Sequence, residues 1–198
     1  SSDVCSSDLT KKPNAVELWD EIIKKDRKRF ESDDILMNFV TNHDENSWNG
    51  TIRERMGEAA ELLTALSFTA PGMPLIYSGQ EYDLNHRLLF FEKDQIPHTK
   101  KIMWPLLEKL GQLKNSNPAL NGGKNASAYK KIDVTNEKVL AFERSKDNHK
   151  VVFLGNFSSE QTQVKNPSIN ATDYSTGAIK SEEFLSLNPW EFKILIHN

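Results

Sequence analysis

Three consecutive residues, Asn42-His43-Asp44, carry the densest chemistry in the chain. They directly follow a short apolar run, Ile35-Leu36-Met37-Asn38-Phe39-Val40-Thr41. A histidine beside a carboxylate at the end of such a run can act as a metal pair, an acid/base pair or a sugar-binding pair. The metal reading is the weakest of the three. No H-E-x-x-H, no facial triad and no third ligand at a fixed spacing accompanies the pair. Hydrolase-triad and nucleotide readings lack support, because the chain holds no G-x-S-x-G elbow, no P-loop and no G-x-G-x-x-G. Trp48 follows four residues after Asp44. Its face can pack on a sugar ring, or it can anchor the loop. A second apolar run, Met73-Pro74-Leu75-Ile76-Tyr77, ends in Ser78-Gly79-Gln80-Glu81 and brings one more carboxylate, Glu81, to a run's end.

These positions need strands to hold them. Both apolar runs have the length and continuity of strands buried on two faces, as in a parallel sheet. Between them, Thr51 and Glu54 form a capping-box pair that opens a helix over Met56, Ala59, Ala60, Leu63, Leu66 and Ala70. Pro71-Gly72 stops it. Strand, helix, strand in this order predicts a right-handed parallel βαβ unit. In parallel βα folds, reactive side chains gather at the carboxyl ends of the strands. An earlier helix runs from Asn14 to about Phe30, with Asn14 and Glu17 spaced as a capping box. A later one spans Ile102 to about Asn117, with Pro105 in its first turn. After Gly122-Gly123 the texture becomes β-rich. Runs at Ala128–Ile132, Val139–Arg144, Val151–Phe157, Gln161–Val164 and Glu191–Ile196 are separated by turns, and Asp147-Asn148 reads as a hairpin.

Composition narrows the function classes. The chain has 198 residues, 37% apolar and 27% charged, with 9% aromatic, which is a globular composition. Lys+Arg 25 against Asp+Glu 28 gives a net charge of −3, so neither nucleic acid nor an anionic membrane is expected as a partner. No run approaches the length of a transmembrane helix. Cys5 is the single cysteine, which excludes an internal disulfide and a cysteine zinc cluster. The opening Ser1 to Asp8 repeats Ser-Ser-Asp and has neither a basic start nor an apolar stretch, so residues 1–12 read as a non-native or disordered lead. The compartment stays open, with extracellular and periplasmic both compatible. Four N-x-[ST] tripeptides, at Asn49, Asn125, Asn156 and Asn170, are expected by chance in so asparagine-rich a chain.

The motifs resemble one family. Phe39-Val40-Thr41-Asn42-His43-Asp44 resembles the F-x-x-N-H-D motif that ends the seventh barrel strand of the alpha-amylase family of glycoside hydrolases. Gly72-Met73-Pro74-Leu75-Ile76-Tyr77-Ser78-Gly79-Gln80-Glu81 resembles its eighth-strand signature, G-x-P-x-I-Y-x-G-x-E. Arg87-Leu88-Leu89-Phe90-Phe91 resembles the loop that follows. Leu113 to Leu120 resembles the end of the last barrel helix, and Leu187 to Leu195 the final strand of the C-terminal β-sandwich. The resemblance implies an α/β plus all-β fold: residues 13–120 as the C-terminal part of a (β/α)₈ barrel, then residues 121–198 as an antiparallel β domain. A complete barrel needs about 250 residues and does not fit.

The same resemblance implies retaining chemistry on α-glucosidic bonds of starch or maltodextrin-like glucans. That chemistry uses a nucleophilic carboxylate and a carboxylic acid about 5–5.5 Å apart. The family adds a third carboxylate, which falls on Asp44. His43 would donate to hydroxyls of the same sugar, with Asn42, Trp48 and Glu81 completing the substrate-binding set. Asn42 is expected mainly to secure the strand-end backbone, Glu81 to hold the barrel rim by hydrogen bonds, and Tyr77 to sit in the barrel core. The family's nucleophile pattern, G-x-R-x-D, and its fifth-strand acid have no counterpart in these residues. No cofactor is expected. Structural calcium in the family belongs mostly to segments that precede the matched ones. A non-catalytic glycan-binding relative and a structural βα piece are the alternative readings.

Overall fold

The computed structural model describes residues 8–11 and 14–197. Much of the proposed lead lies outside these. Its described part, Asp8–Lys11, is not a disordered lead but a short helix, α1, and Leu9 is 1% exposed within the core. Helix α2 covers Ala15–Arg29 and presents Val16 and Trp19 inward. The capping box expected at its start does not form. The Asn14 amide instead donates to the Glu17 carboxylate at 3.4 Å, so its oxygen caps no backbone N–H. Basic Arg27, Lys28 and Arg29 fill the last turn, where cations offset the helix dipole.

Strand β1 (Met37–Asn38) and strand β2 (Met73–Pro74) pair in parallel, Met37 opposite Met73. The βαβ unit is therefore present, and its strands are two residues long. Burial on both faces fails: Ile35, Met73 and Ile76 are exposed, because among the described residues no third strand pairs with either outer edge. For the same reason Tyr77 is only half-buried, and the barrel is not closed. The two strands approach closely at Gly72, where φ is 112° and a Cβ would lie 2.3 Å from the Leu36 carbonyl oxygen. Only glycine fits there.

The connecting helix forms in two pieces. Thr51 and Glu54 make both halves of a capping box, and α3 covers Ile52–Met56. Gly57, at φ 54°, starts a tight turn before α4 (Ala60–Thr69) continues. Nine of the ten α4 residues from Ala60 onward are buried, so this helix lies in the interior. Helix α5 (Met103–Ser116) follows the long polar loop, and the Asp83 carboxylate accepts from its first N–H at 2.8 Å. Asp83 also binds Arg53 of α3 at 2.9 Å, tying both helices to one loop residue. Among the described residues no helix is long and apolar enough to cross a membrane.

The β-rich half forms eight strands among the described residues: β3 (Ala128–Lys131), β4 (Val139–Lys146), β5 (His149–Asn156), β6 (Thr162–Lys165), β7 (Ala171–Asp173), β8 (Ile179–Lys180), β9 (Phe184–Leu187) and β10 (Phe192–His197). Six of them form one sheet in the order β3-β4-β5-β10-β7-β8, while β6 and β9 pair separately. Asp147-Asn148 turns the β4–β5 hairpin, with Asp147 at φ 52°. The sheet has two apolar faces. Val139, Ala141, Val152, Leu154 and Leu195 pack with Val164, Leu185 and Leu187 of the small sheet. Leu140, Phe142, Val151, Phe153 and Ile194 join the core formed by the helices. Asn156, fully buried, donates its amide to the carbonyls of Glu160, Leu187 and Asn188, closing the sandwich end.

Two cations seal the junction between the halves. Arg144 of β4 is 1% exposed, and its guanidinium is held by neutral oxygens. It donates to the carbonyls of Thr69 (3.2 Å) and Asn121 (3.0 Å) and to the Ser127 hydroxyl (2.9 Å). Burial pulls its pKa down to about 10. Lys114 donates to the carbonyls of Gly72 and Leu120, each at 2.8 Å. Burial first, then the Arg144 charge, lower its pKa to about 8.

Two predictions follow from this packing. Trp19 stacks on Phe142 with centroids 6.1 Å apart, and its indole N–H donates to the Tyr129 hydroxyl at 2.9 Å. Trp19→Ala should cost about 3–5 kcal/mol, read as a lower urea midpoint by circular dichroism; an unchanged midpoint would mean that α2 does not hold the sheet. Lys114 titrates about 8 when folded, against 10.5 ordinarily. Between these values the unfolded chain keeps the proton that the folded chain sheds, so this site's contribution to stability rises with pH across that window. The stability of the native chain relative to Lys114→Met should therefore climb from pH 8 toward 10.5, and a flat difference would count against it.

Candidate functional site

The Asn42-His43-Asp44 segment leaves the carboxyl end of β1 and turns directly into a helical stretch. Residues Glu45–Asn49 form one turn of π-helix, a wide geometry found often at functional sites. Asn42 starts this turn: its side-chain oxygen accepts from the Glu45 N–H at 2.8 Å. The amide oxygen is thus engaged with the backbone of the turn that follows. Arg55, reaching back from α3, clamps the segment from behind. Its guanidinium donates to the Val40 carbonyl at 3.0 Å and pairs with Glu45 at 2.8 Å. Strand end and turn are fixed from both sides.

What this scaffold leaves exposed is His43 and Asp44. Their side chains are more than half exposed, with His43 Nε2 3.5 Å from Asp44 Oδ2. An exposed carboxylate beside an exposed imidazole can accept hydrogen bonds from, and donate them to, a polyhydroxylated ligand. Trp48 stands on the same turn and is 58% exposed. Its ring meets Phe90 at 5.3 Å and Phe91 at 6.3 Å, and Phe90 also meets His43 at 5.8 Å. The structure therefore brings His43, Asp44 and Trp48 to one surface. The two phenylalanines, from the Arg87–Phe91 loop, join them there.

Glu81 behaves differently from expectation. One carboxylate oxygen, Oε2, is buried without a hydrogen-bond partner among the described residues, so this oxygen holds no rim contact. The neighbouring Gln80 makes one instead, accepting from the Tyr77 N–H at 3.3 Å. Two further buried oxygens, Asn38 Oδ1 and Thr41 Oγ1 on the β1 segment, are likewise without partners there. Sequence reasoning assigned no role to Arg55, Asn46, Phe90 or Phe91. The signal for the last two was present: adjacent aromatic residues in a polar loop. Among the described residues no group of three His, Cys, Asp or Glu side chains is placed to hold a metal ion.

No family model matches the sequence. The chain is 30% identical over 147 residues to Alpha-amylase MalA of Haloarcula japonica, an alignment covering 72% of this chain and 21% of that protein. An alpha-amylase from Lactobacillus plantarum superposes with a TM-score of 0.78 at 20% identity, over 97% of this chain and 45% of that one. A maltogenic alpha-amylase, AmyB from Thermotoga neapolitana, superposes with a TM-score of 0.77 at 20% identity, over 96% of this chain and 48% of that one. The chain thus spans about a fifth of the curated relative and just under half of each solved structure. With two signatures in their expected order on a parallel βαβ unit, a β-sandwich behind them and these likenesses over most of its length, the chain belongs to the alpha-amylase family of glycoside hydrolases, matching the C-terminal part of that architecture.

Proposed function

We propose that these residues supply the third carboxylate and part of the sugar-binding surface of a retaining glycosidase acting on α-glucosidic bonds of starch or maltodextrin-like glucans. The observation that carries this reading is the placement of Asp44. It stands exposed, beside His43 and an aromatic cluster, past the carboxyl end of a parallel strand. That is where substrates bind in parallel βα folds.

The chemistry gives Asp44 a definite task. Glycoside cleavage passes through an electron-poor, oxocarbenium-like transition state. An ionised carboxylate that accepts hydrogen bonds from ring hydroxyls strengthens its hold as positive charge develops. His43 donates to hydroxyls of the same sugar and helps fix the ring. Neither residue acts as nucleophile or acid in this reading, so the 198 residues alone are inactive. The binding-protein alternative shares the surface but not the turnover.

Two measurements separate these outcomes. The purified 198-residue chain should release no reducing sugar from maltoheptaose, and detectable hydrolysis would refute its assignment as a non-catalytic portion. In a polypeptide that joins this stretch to the family's fourth- and fifth-strand carboxylates, Asp44→Asn should lower kcat by about 10²–10³-fold with a small change in KM. Unchanged kcat would remove Asp44 from the chemistry. Absent turnover in that polypeptide, with glucan binding lost on Asp44→Asn, would favour the binding-protein reading.

A further inference from the structure

The geometry points to a second part of the sugar surface: Trp48, Phe90 and Phe91 form a prebuilt aromatic wall that takes successive glucosyl rings of an α-glucan chain extending away from Asp44. This deepens the proposed function and rests on its glucan reading. The three rings meet at centroid distances of 5.3, 6.3 and 4.8 Å, and they are 58%, 40% and 84% exposed. Exposed aromatic rings in contact with one another cost hydration free energy and do nothing for the core.

The wall is held in place from beneath. Asn46, 4% exposed, accepts from the Leu88 N–H at 2.8 Å and donates to the His86 carbonyl at 3.1 Å. The Ser47 hydroxyl donates to the Leu88 carbonyl at 2.7 Å. Asp94 accepts from the Leu89 N–H at 3.0 Å and contacts His86 Nε2 at 2.7 Å. Backbone N–H bonds first, then His86, hold its carboxyl below the usual carboxylate range. A buried asparagine and an anchored aspartate thus lock the loop to the π-turn that carries Trp48. A ligand meeting this wall finds it already ordered, which lowers the entropy cost of binding.

Size and chemistry select the occupant. Each ring offers at most about 250 Å², and the three are only partly exposed. Their sum falls below the roughly 800 Å² per partner of a stable protein interface. A glucosyl ring is smaller and has an apolar C–H face suited to stacking, with hydroxyls at its edge. His43 borders the wall through Phe90 at 5.8 Å, and Asp44 lies beside His43, so edge hydroxyls would meet polar partners where the wall ends.

The test is titration calorimetry of the 198-residue chain with maltoheptaose and with glucose, each variant first checked for native circular dichroism. The native chain should bind maltoheptaose and should bind glucose far more weakly. Phe91→Ala should weaken maltoheptaose binding by about fivefold or more, with Phe91→Leu retaining the fold but not the affinity. Trp48→Ala should do the same. Wild-type affinity in these variants would overturn the wall and leave the Asp44 reading, which rests on kcat, standing. Weakened wall variants would uphold the wall whatever Asp44→Asn does to binding, because the Asp44 reading is decided by kcat in the joined polypeptide. No maltoheptaose binding by the folded native chain at about 10 mM would overturn the wall outright.

Discussion

The stacking of Trp19 on Phe142, continued by Phe153, is the contact on which the rest of the molecule is arranged. It joins the first long helix to the middle of the large sheet, residues far apart in sequence. All three side chains are fully buried. Because β4 and β5 are apolar on both faces, the sheet must be covered twice. The small β6–β9 sheet covers one face, and α2, α4 and α5 cover the other. The two halves therefore share a hydrophobic core rather than meeting at a wet interface. Arg144 and Lys114 then fasten the edge of that core, using backbone carbonyls where carboxylates would ordinarily stand. Buried cations in such a setting define one register of the junction, since any shift would strand them without acceptors.

The site inherits its rigidity from this arrangement. Helix α4 packs behind the two short strands, and the α3 capping box holds the chain that returns from the π-turn. Arg55 transfers that order to the strand end. His43 and Asp44 are thus exposed on a fixed base, and their freedom is confined to side-chain rotation. Such a base favours a ligand that binds a preset geometry.

Local signals were legible where the chemistry is local. The Thr51–Glu54 capping box, the Asp147-Asn148 hairpin, the Pro71-Gly72 stop and the parallel order of the two apolar runs all read directly from residue types. Features set by distant neighbours did not. Strands β7, β8 and β9 are short and mixed in character, and pairing defines them: β7 with β10, β8 with β7 and β9 with β6. The helix break at Gly57 left the apolar spacing intact and so gave no sign. The Asn14–Glu17 pair had the right spacing but a side chain turned the wrong way. At the site, Asn42, His43 and Asp44 were legible from their motif. The aromatic wall was not, because Phe90 and Phe91 meet Trp48 only through the hydrogen bonds of Asn46 and Ser47 across some forty residues.

One buried asparagine has a chemical consequence. Asn156 heads the tripeptide Asn156-Phe157-Ser158, nominally an acceptor for oligosaccharide transfer. Its amide nitrogen already serves three carbonyls, and its hydroxyl neighbour Ser158 donates back to its oxygen at 2.8 Å. The following N–H, on Phe157, is held by the Lys138 carbonyl. Enzymatic modification at this nitrogen and spontaneous deamidation through that N–H would both require the sandwich end to open first. In the folded molecule this asparagine is chemically silent, and any covalent mark upon it would record a chain caught before it folded.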